Sequence, residues 1–228
     1  MSAEPANAVG AVVFDVYGTL LDVGAAVEPA RRRIGERADR LGELWRRKQL
    51  EYSWLRSLMR AHRDFEGLTA DALDWALRAI GIEDRALAAE LLAGYRRLPA
   101  FAEAEAALAA LRAGGLRLAV LSNGTTAMLE AGLEAARLRP HLDHVLSVES
   151  VGVFKPAAEV YAIATSTLGL AAGRIAFVSA NGWDAHAAAW NGFRAFRVDR
   201  AGLPDELLPG DVERGVASLA ELPGLLLP

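Results

Sequence analysis

The 228-residue chain contains no cysteine. Disulfide bonds, thiolate catalysis and zinc sites that use cysteine ligands are therefore excluded. The first seven residues, Met-Ser-Ala-Glu-Pro-Ala-Asn, have neither the cationic start nor the apolar segment of a secretion signal. Both absences fit a reducing compartment, and we expect a cytoplasmic protein.

Two further features are absent from the sequence. No run of about 18 uninterrupted apolar residues occurs, so we expect no membrane-spanning helix and no membrane partner. No basic stripe occurs either, because 25 lysines and arginines are mixed with 29 acidic residues, for a net charge of −4. Proteins that follow nucleic-acid phosphates need such a stripe, so we expect no nucleic-acid partner. The length and the 53% hydrophobic content suit one large domain or a domain with a sizeable insertion.

An aspartate at the end of a buried strand is the first positive feature. The apolar run 12–14 predicts a strand buried on both faces, and it leads directly to Asp15. Tyr17, Gly18 and Thr19 then predict a turn. Ligands of open α/β sheets bind in the crevice above the carboxyl ends of the strands. Asp15 is therefore either a functional carboxylate or one that fixes the loop by accepting backbone hydrogen bonds.

The segment from about 27 to 98 has no strand-like run and is helical in pattern, which predicts an all-helical insertion. In its helix 41–59, a mostly apolar stripe comprises positions 41, 44, 45, 48, 52, 55 and 59. A second stripe comprises positions 50, 54 and 58, with Arg46 one turn earlier. We expect one face to pack within the insertion and the other to close over a ligand, although Arg46 alone also fits a surface arginine. Thr69 is predicted to cap the next helix, which runs to Ile80.

After Pro99 the pattern alternates between helix and strand, which predicts a parallel sheet. Strands are expected at 117–121, 144–148, 175–178 and 193–198; the last ends the sheet, and the remaining C-terminal segment is expected to be irregular. Polar residues follow these strands: Ser122, Asn123, Lys155 and Asp184. Because the carboxyl ends of parallel strands share one edge, these side chains and Asp15 are expected to meet in one crevice.

Four motifs together resemble the (S)-2-haloacid dehalogenases of the haloacid dehalogenase superfamily. They are Asp-Val-Tyr-Gly-Thr-Leu-Leu-Asp from Asp15, Ser-Asn-Gly from Ser122, Lys155-Pro156, and Ser-Ala-Asn-Gly-Trp-Asp ending at Asp184. The segment 45–52 also resembles the helical cap of these enzymes. The resemblance implies a Rossmann-like α/β core of residues 1–21 and 98–228 with an inserted helical cap of residues 22–97. It also suggests a homodimer, the commonest assembly.

Two positions separate this chain from the phosphatases of the same superfamily. Phosphatases carry a second aspartate where Tyr17 stands, and a metal-ligating aspartate where Ala180 stands. A methyl group offers Mg²⁺ no ligand. A departing halide needs neither a proton nor a metal, so we expect no metal and no cofactor. A phosphatase acting on a small phosphorylated metabolite is the alternative, and a scaffold protein that kept the fold without activity is another.

The resemblance implies hydrolysis of short-chain (S)-2-haloalkanoic acids to (R)-2-hydroxyalkanoic acids and halide. Asp15 would attack the halogen-bearing carbon, and water would then hydrolyse the resulting ester. Lys155 would keep Asp15 ionised, and Asp184 would activate the water, unless it merely caps a helix. The implied catalytic residues are Asp15, Thr19, Lys155, Ser179, Asn181 and Asp184.

The resemblance also implies a set of substrate and halide contacts. Arg46, Asn123 and Trp183 would hold the halide, since a guanidinium binds an anion without transferring a proton. The substrate carboxylate would bind Ser122 and unpaired N–H groups of the helix that begins near Thr125. The complete implied set is Tyr17, Arg46, Leu50, Phe65, Ser122, Asn123, Tyr161 and Trp183.

Overall fold

Six parallel strands form the sheet of this protein, whose computed structural model describes residues 9–227. The strands are β1 (Ala11–Phe14), β2 (Arg117–Ser122), β3 (His144–Ser147), β4 (Ile175–Ser179), β5 (Arg194–Val198) and β6 (Arg214–Val216). Their order is β3-β2-β1-β4-β5-β6, so β1 is an inner strand between β2 and β4. Every residue of β1 and β4 is buried, as near-continuous apolar runs in a covered parallel sheet require. The expected parallel α/β core is confirmed.

The sixth strand contradicts the expectation that the sheet ends with the strand at 193–198. β6 pairs in parallel with β5, Val216 lying opposite Val198. Only Val216 of its three residues is buried, and its centre is Gly215. Such a short edge strand has no apolar run or alternation from which it could be predicted.

Helices connect and cover the strands. They are α5 (Ala104–Ala113), α6 (Thr126–Ala135), α7 (Ala158–Leu168), α8 (Gly182–Trp190) and α9 (Leu222–Leu226). Helices α6 and α8 begin within four residues of the ends of β2 and β4, so their first turns lie at the edge where the strands end. Nowhere in residues 9–227 is a helix both long enough and apolar enough to cross a bilayer.

Four helices lie between β1 and α5, as the helical pattern of 27–98 predicts. They are α1 (Glu28–Ile34), α2 (Arg37–Leu58), α3 (Phe65–Ala79) and α4 (Arg85–Tyr95). Helices α2 and α3 pack along each other, and Trp45 of α2 donates a 2.9 Å hydrogen bond to the carbonyl of Thr69 in α3.

The predicted cap of α3 at Thr69 is wrong, because the cap is Asp64, five residues earlier, and the helix begins at Phe65. Asp64 caps it by accepting a 2.6 Å hydrogen bond from the backbone N–H of Gly67. Thr69 lies inside the helix and donates its hydroxyl to the carbonyl of Phe65 at 2.6 Å. A threonine hydroxyl competes for backbone groups in either position, so its residue type does not distinguish a cap from a mid-helix bond.

The predicted stripes of α2 also need correction. Its buried line is Leu41, Trp45, Gln49 and Ser53, spaced four residues apart, whereas Leu55, Leu58 and Met59 are exposed. The apolar pattern predicted that positions 48, 52, 55 and 59 would continue the inner face. The polar residues Gln49 and Ser53 lie there instead. Burial of Gln49 and Ser53 is tolerated because both side chains are hydrogen-bonded inside the protein.

Candidate active site

The carboxyl end of β1 positions Asp15 near the middle of the sheet. Its backbone N–H donates to the carbonyl of Val178 at 2.9 Å, so the ladder with β4 continues through this residue. The side chain extends beyond the strand ends and is only 6% exposed. A carboxylate in this position is held by the sheet itself rather than by a flexible loop.

Three donors surround the Asp15 carboxylate. The hydroxyl of Thr19 and the amide of Asn181 each donate to Oδ2 at 2.9 Å, and Nζ of Lys155 donates to Oδ1 at 3.1 Å. The backbone N–H of Ala180 donates to the Thr19 hydroxyl at 2.8 Å, which leaves the threonine proton for Asp15. These bonds hold the carboxylate in one orientation.

Lys155 connects Asp15 to a second buried carboxylate. Its ammonium lies 3.1 Å from Asp15 and 2.8 Å from Oδ2 of Asp184, and both Lys155 and Asp184 are almost completely buried. Burial by itself lowers the pKa of Lys155, but the two neighbouring carboxylates outweigh it and raise the pKa above the ordinary lysine value. The lysine is therefore a cation at neutral pH.

Asp184 is held by a second donor, Tyr161. The phenol donates to Oδ1 of Asp184 at 2.7 Å. Burial raises the pKa of Asp184 above its usual range, while Lys155 and the Tyr161 hydrogen bond act in the opposite direction. Burial and the nearby carboxylate raise the pKa of Tyr161 well above 10, so the phenol keeps its proton.

Helix capping does not explain the polar residues after β4. Helix α8 begins at Gly182, and neither Asn181 nor Asp184 caps it with its side chain. The Asp184 carboxylate instead contacts Lys155 and Tyr161. Ser179 accepts a 3.1 Å hydrogen bond from the backbone N–H of Asn181 and so fixes this turn. The capping alternative is therefore wrong for both side chains.

Arg46 reaches from α2 to the edge of the sheet. Its Nη2 donates to the side-chain oxygen of Asn181 at 3.1 Å and to the carbonyl of Tyr17 at 3.4 Å. Asn181 in turn donates to Asp15, so one amide connects the guanidinium and the carboxylate. The helical segment and the strand ends thus meet at this pair, as predicted from the second stripe of α2.

A cavity of about 10 Å³ lies between these groups, with room for roughly one water molecule. All of its lining residues belong to the predicted set: Asp15, Tyr17, Arg46, Leu50, Phe65, Ser122, Asn123, Lys155, Asn181 and Trp183. The other predicted residues, Thr19, Ser179, Asp184 and Tyr161, lie behind this lining and hold it by the hydrogen bonds described above.

Aromatic rings hold the apolar wall. Tyr17 stacks on Tyr95 at a centroid distance of 5.3 Å and contacts Phe65 at 5.7 Å. Trp54 meets Trp183 edge-on at 5.5 Å. Sequence reasoning missed Tyr95 as a support of the site, although it is the last residue of a helix that returns towards the sheet.

Two polar groups of the wall have unused hydrogen-bonding capacity. Asn123 accepts a 3.0 Å bond from the backbone N–H of Lys155 through Oδ1, which leaves its Nδ2 hydrogens for another acceptor. Ser122 accepts from the N–H of Gly124 at 3.3 Å, and its hydroxyl donates to no partner within residues 9–227. Both groups are suited to contact an anion in the cavity.

The start of α6 differs from expectation, because protein side chains already occupy part of it. Thr125 accepts from the N–H of Met128 at 3.1 Å, and Glu149 accepts from the N–H of Thr126 at 2.7 Å. These two N–H groups are therefore not free to receive a substrate carboxylate. The prediction was wrong for them because it omitted the local cap, Thr125, which takes the N–H of Met128, and the tertiary neighbour, Glu149, which takes the N–H of Thr126.

The polar residues do not suit a magnesium site. No group of three histidine or acidic side chains within residues 9–227 is arranged to hold a metal ion. Ala180, where phosphatases carry a ligand, presents a methyl group and uses its N–H on Thr19. The two carboxylates of the site share the Lys155 ammonium, so the protein itself compensates one of their two negative charges.

Comparisons with known proteins show which family the chain resembles. The family model described as haloacid dehalogenase-like hydrolase matches residues 9–192. (S)-2-haloacid dehalogenase 1 of Pseudomonas sp. (strain CBS-3) is 43% identical over 218 residues, 95% of this chain and 96% of that protein. A crystal structure of a dehalogenase has a TM-score of 0.95 at 40% identity, covering 98% of this chain and 100% of that one. The structure of L-2-haloacid dehalogenase from Xanthobacter autotrophicus with chloropropionic acid covalently bound has a TM-score of 0.89 at 34% identity, covering 96% and 98%.

Proposed function

The chain belongs to the haloacid dehalogenase-like hydrolase family, and we propose that it is an (S)-2-haloacid dehalogenase. It hydrolyses short-chain (S)-2-haloalkanoic acids to (R)-2-hydroxyalkanoic acids and halide. One observation carries the proposal: Asp15 from the sheet and Arg46 from the helical segment line the same cavity, joined through Asn181. The residue types also support the proposal. Tyr17 stands where phosphatases carry their second aspartate, and Ala180 stands where they carry a metal-ligating aspartate.

The first chemical step is nucleophilic substitution by Asp15. A carboxylate oxygen bonds to C2 of the substrate from the side opposite the halogen, and the halide leaves with the bonding electron pair. The product of this step is an ester of Asp15 whose C2 configuration is inverted. Thr19, Asn181 and Lys155 orient the carboxylate for this attack.

The second step is hydrolysis of that ester. Water gives up one proton as it adds to the carboxyl carbon of Asp15, and the bond between this carbon and the ester oxygen breaks. The leaving oxygen takes the proton that remained on the added hydroxyl, which releases the hydroxy acid and regenerates the carboxylate. We assign Asp184 to accept the proton of the water, because it is the second carboxylate of the Lys155 cluster. Asn181 and Ser179 help to position the water, and Tyr161 holds Asp184 in place.

Binding is assigned to the rest of the lining. Ser122 and Asn123 have donors available for the substrate carboxylate and other anions. Arg46, Asn123 and Trp183 receive the halide. The apolar side chains of the lining are Leu50, Phe65 and Trp183. Together with the ring of Tyr17, they exclude bulk water from the alkyl group of the substrate.

Residues 22–97 act in this proposal as a cap over a core of residues 1–21 and 98–228. A cavity of about 10 Å³ is far smaller than a 2-haloacid. The cap or the side chains at its contact with the core must therefore move for substrate to enter. The contacts that must yield include the hydrogen bonds from Arg46 to Asn181 and from the N–H of Phe154 to the hydroxyl of Ser57.

We further propose a cytoplasmic location and a homodimer. The absence of cysteine is consistent with the first, and the exposed apolar side chains of Leu58 and Trp190 are consistent with a protein surface that pairs. Cell fractionation and light scattering after size-exclusion chromatography test these two points. A monomer at micromolar concentration would rule out the dimer.

One turnover in ¹⁸O-labelled water with excess enzyme tests the ester route. The label is expected in the Asp15 carboxyl group and not in the first hydroxy acid formed, whereas direct hydrolysis would label the product. Halide release from (S)-2-chloropropionate is expected to continue in EDTA and to yield the (R)-hydroxy acid. Phosphate release that depends on Mg²⁺, with no halide release, would favour the phosphatase alternative instead.

A further inference from the structure

All the acceptors that hold Arg46 are electrically neutral. Within residues 9–227 its guanidinium donates to the side-chain oxygens of Gln49 and Asn181 and to the backbone carbonyl of Tyr17, and to no carboxylate. Arg200 provides a contrast, since it forms a 2.9 Å ion pair with Glu103. Neutral oxygens orient a guanidinium without cancelling its charge. The positive charge of Arg46 therefore remains available to an anion in the cavity.

Gln49 is the acceptor that comes from the same helix as Arg46. It is 1% exposed, and its Oε1 receives Nη1 of Arg46 at 2.9 Å. Its Nε2 donates to the hydroxyl of Thr69 at 2.8 Å, and that hydroxyl donates to the carbonyl of Phe65 at 2.6 Å. Tyr95 contacts the same amide at 3.2 Å. A sequence of directed bonds thus runs from the guanidinium to the backbone of α3.

This sequence of bonds allows only one orientation of the Gln49 amide. The Thr69 hydroxyl gives its single proton to a carbonyl, so it must accept from Gln49 rather than donate to it. Oε1 must then face Arg46, which offers only donors. Because α3 holds one end of the amide, the other end fixes the guanidinium.

We propose that Gln49 is a positioning residue for the halide site: it holds Arg46 towards the cavity and, being neutral, keeps the guanidinium charge free for the departing halide. This inference rests on the proposed dehalogenase function. A buried, fully bonded glutamine is an unusual occupant of the inner line of a helix, where apolar side chains pack at lower cost. The site requires an acceptor that orients Arg46 without neutralising it, and a glutamine amide is such an acceptor. A carboxylate would compete with the halide for Arg46, and an apolar side chain would offer Arg46 no hydrogen bond.

Two variants separate the two roles of the amide. Gln49→Glu keeps the length and an oxygen acceptor but places a negative charge beside Arg46, so an anion in the cavity must compete with it. Gln49→Met keeps the volume but removes the acceptor. Ser53→Ala is the matched control, because Ser53 is buried one turn later on the same face of α2 and bonds only within that helix.

Bromide affinity, measured by titration calorimetry, and steady-state bromide release are the readouts. Gln49→Glu is expected to weaken bromide binding about tenfold or more, with a comparable fall in kcat. Bromide binding by this variant should recover as the pH falls and the introduced carboxyl group takes a proton, a recovery that wild type lacks. Gln49→Met should lower kcat more than it changes KM, and Ser53→Ala should match wild type in both readouts.

Several outcomes would overturn the inference while leaving the function intact. The first is a folded Gln49→Glu protein with wild-type bromide affinity. The second is a loss of bromide affinity in Gln49→Glu that does not recover at lower pH. The third is an equal loss of bromide affinity in Ser53→Ala. If Gln49→Glu does not fold, Gln49→Met decides, and wild-type kcat in that variant would overturn the inference. Wild type that neither binds bromide nor releases it from (S)-2-bromopropionate would instead refute the proposed function.

Discussion

Tyr161 illustrates how one hydroxyl group, placed behind the cavity, influences the chemistry in it. The phenol is completely buried and donates to Asp184, which shares the Lys155 ammonium with Asp15. This bond favours the ionised form of Asp184 and so opposes the rise in pKa that burial causes. The residue acts on the reaction through the carboxylate that it holds.

The Tyr161→Phe variant is expected to lose activity on the acidic side. Without the donor, the pKa of Asp184 rises further, so a higher pH is needed to ionise it as a base. The acidic limb of the pH profile of kcat should therefore move to higher pH, while activity on the alkaline side of that limb is largely kept.

Tyr52→Phe provides the control for this experiment. Tyr52 lies on α2 and its hydroxyl makes no hydrogen bond within residues 9–227, so its removal should leave the profile unchanged. An acidic limb that stays in place in Tyr161→Phe, or moves to lower pH, would contradict the assignment of Asp184 as the base.

Gly124 shows a second effect of a single residue, this time steric. A Cβ atom there would lie 2.9 Å from a ring carbon of Tyr17 and 3.0 Å from Leu129. Tyr17 cannot easily retreat, since its ring is packed between Tyr95 and Phe65. Glycine is required here because the Tyr17 ring lies so close to its Cα, and not because of an unusual backbone angle.

Gly124→Ala should therefore displace Tyr17 and disturb the lining of the cavity. We expect a free energy of unfolding lower by about 1–3 kcal/mol, as for other overpacked sites, and a kcat/KM lower by about tenfold. Gly94→Ala is the matched control, since a Cβ there meets nothing within 4 Å; it should keep full activity. Equal activity of the two variants would show that Tyr17 is not held tightly.

At the scale of the element, α3 depends on a cap that lies outside the predicted boundary. Asp64 accepts from the N–H of Gly67, which satisfies one of the backbone donors that the first turn leaves unpaired. Helix α3 matters for the site because it carries Phe65 in the cavity wall and Thr69 behind Gln49.

Asp64→Ala is expected to lower the free energy of unfolding by about 1 kcal/mol, the usual cost of losing such a cap. Asp74→Ala on the same helix removes an exposed ion pair with Arg78 and should cost less than about 0.5 kcal/mol. Urea denaturation of the three proteins measures both values. A larger loss for Asp74→Ala would refute the assignment of the cap.

At the scale of the whole molecule, the site combines groups from two parts of the chain. Asp15, Lys155 and Asn181 belong to the strand ends, and Arg46 belongs to α2. An anion held between them should tighten both parts together, because a ligand stabilises every element that its binding requires to be in place. An anion that bound only to residues of the strand ends would not stabilise α2.

Bromide is therefore expected to slow hydrogen exchange in α2 around Arg46 as well as in the turn 180–183. A concentration of 100 times the dissociation constant adds about 2.7 kcal/mol to the stability of the bound form. The edge strand β6, none of whose residues line the cavity, serves as the internal control and should not change. The Arg46→Gln variant should lose the protection in both regions, and protection confined to the sheet would contradict a shared anion site.

The sequence by itself was sufficient to predict the inner strands of the sheet and the residues that line the cavity. Asp15, Ser122 and Asn123 follow apolar runs directly, whereas Lys155 lies in the connection after β3 and Asp184 lies in the first turn of the helix after β4. A parallel sheet brings all such positions to one edge, whatever the details of packing. The composition of the lining could therefore be predicted from order along the chain together with the family motifs.

Only the tertiary structure decided what stands behind that lining. Gln49, Tyr95 and Glu149 act through contacts with residues 20 or more positions away, at Thr69, Gln49 and Thr126 respectively. The edge strand β6 likewise depends on its pairing with β5 rather than on its own pattern. The cap of α3, by contrast, is local, since Asp64 lies three residues before Gly67. Periodicity reports which residues prefer burial, but a polar side chain is buried only where a distant partner satisfies its hydrogen bonds, and the chain order does not contain that partner's position.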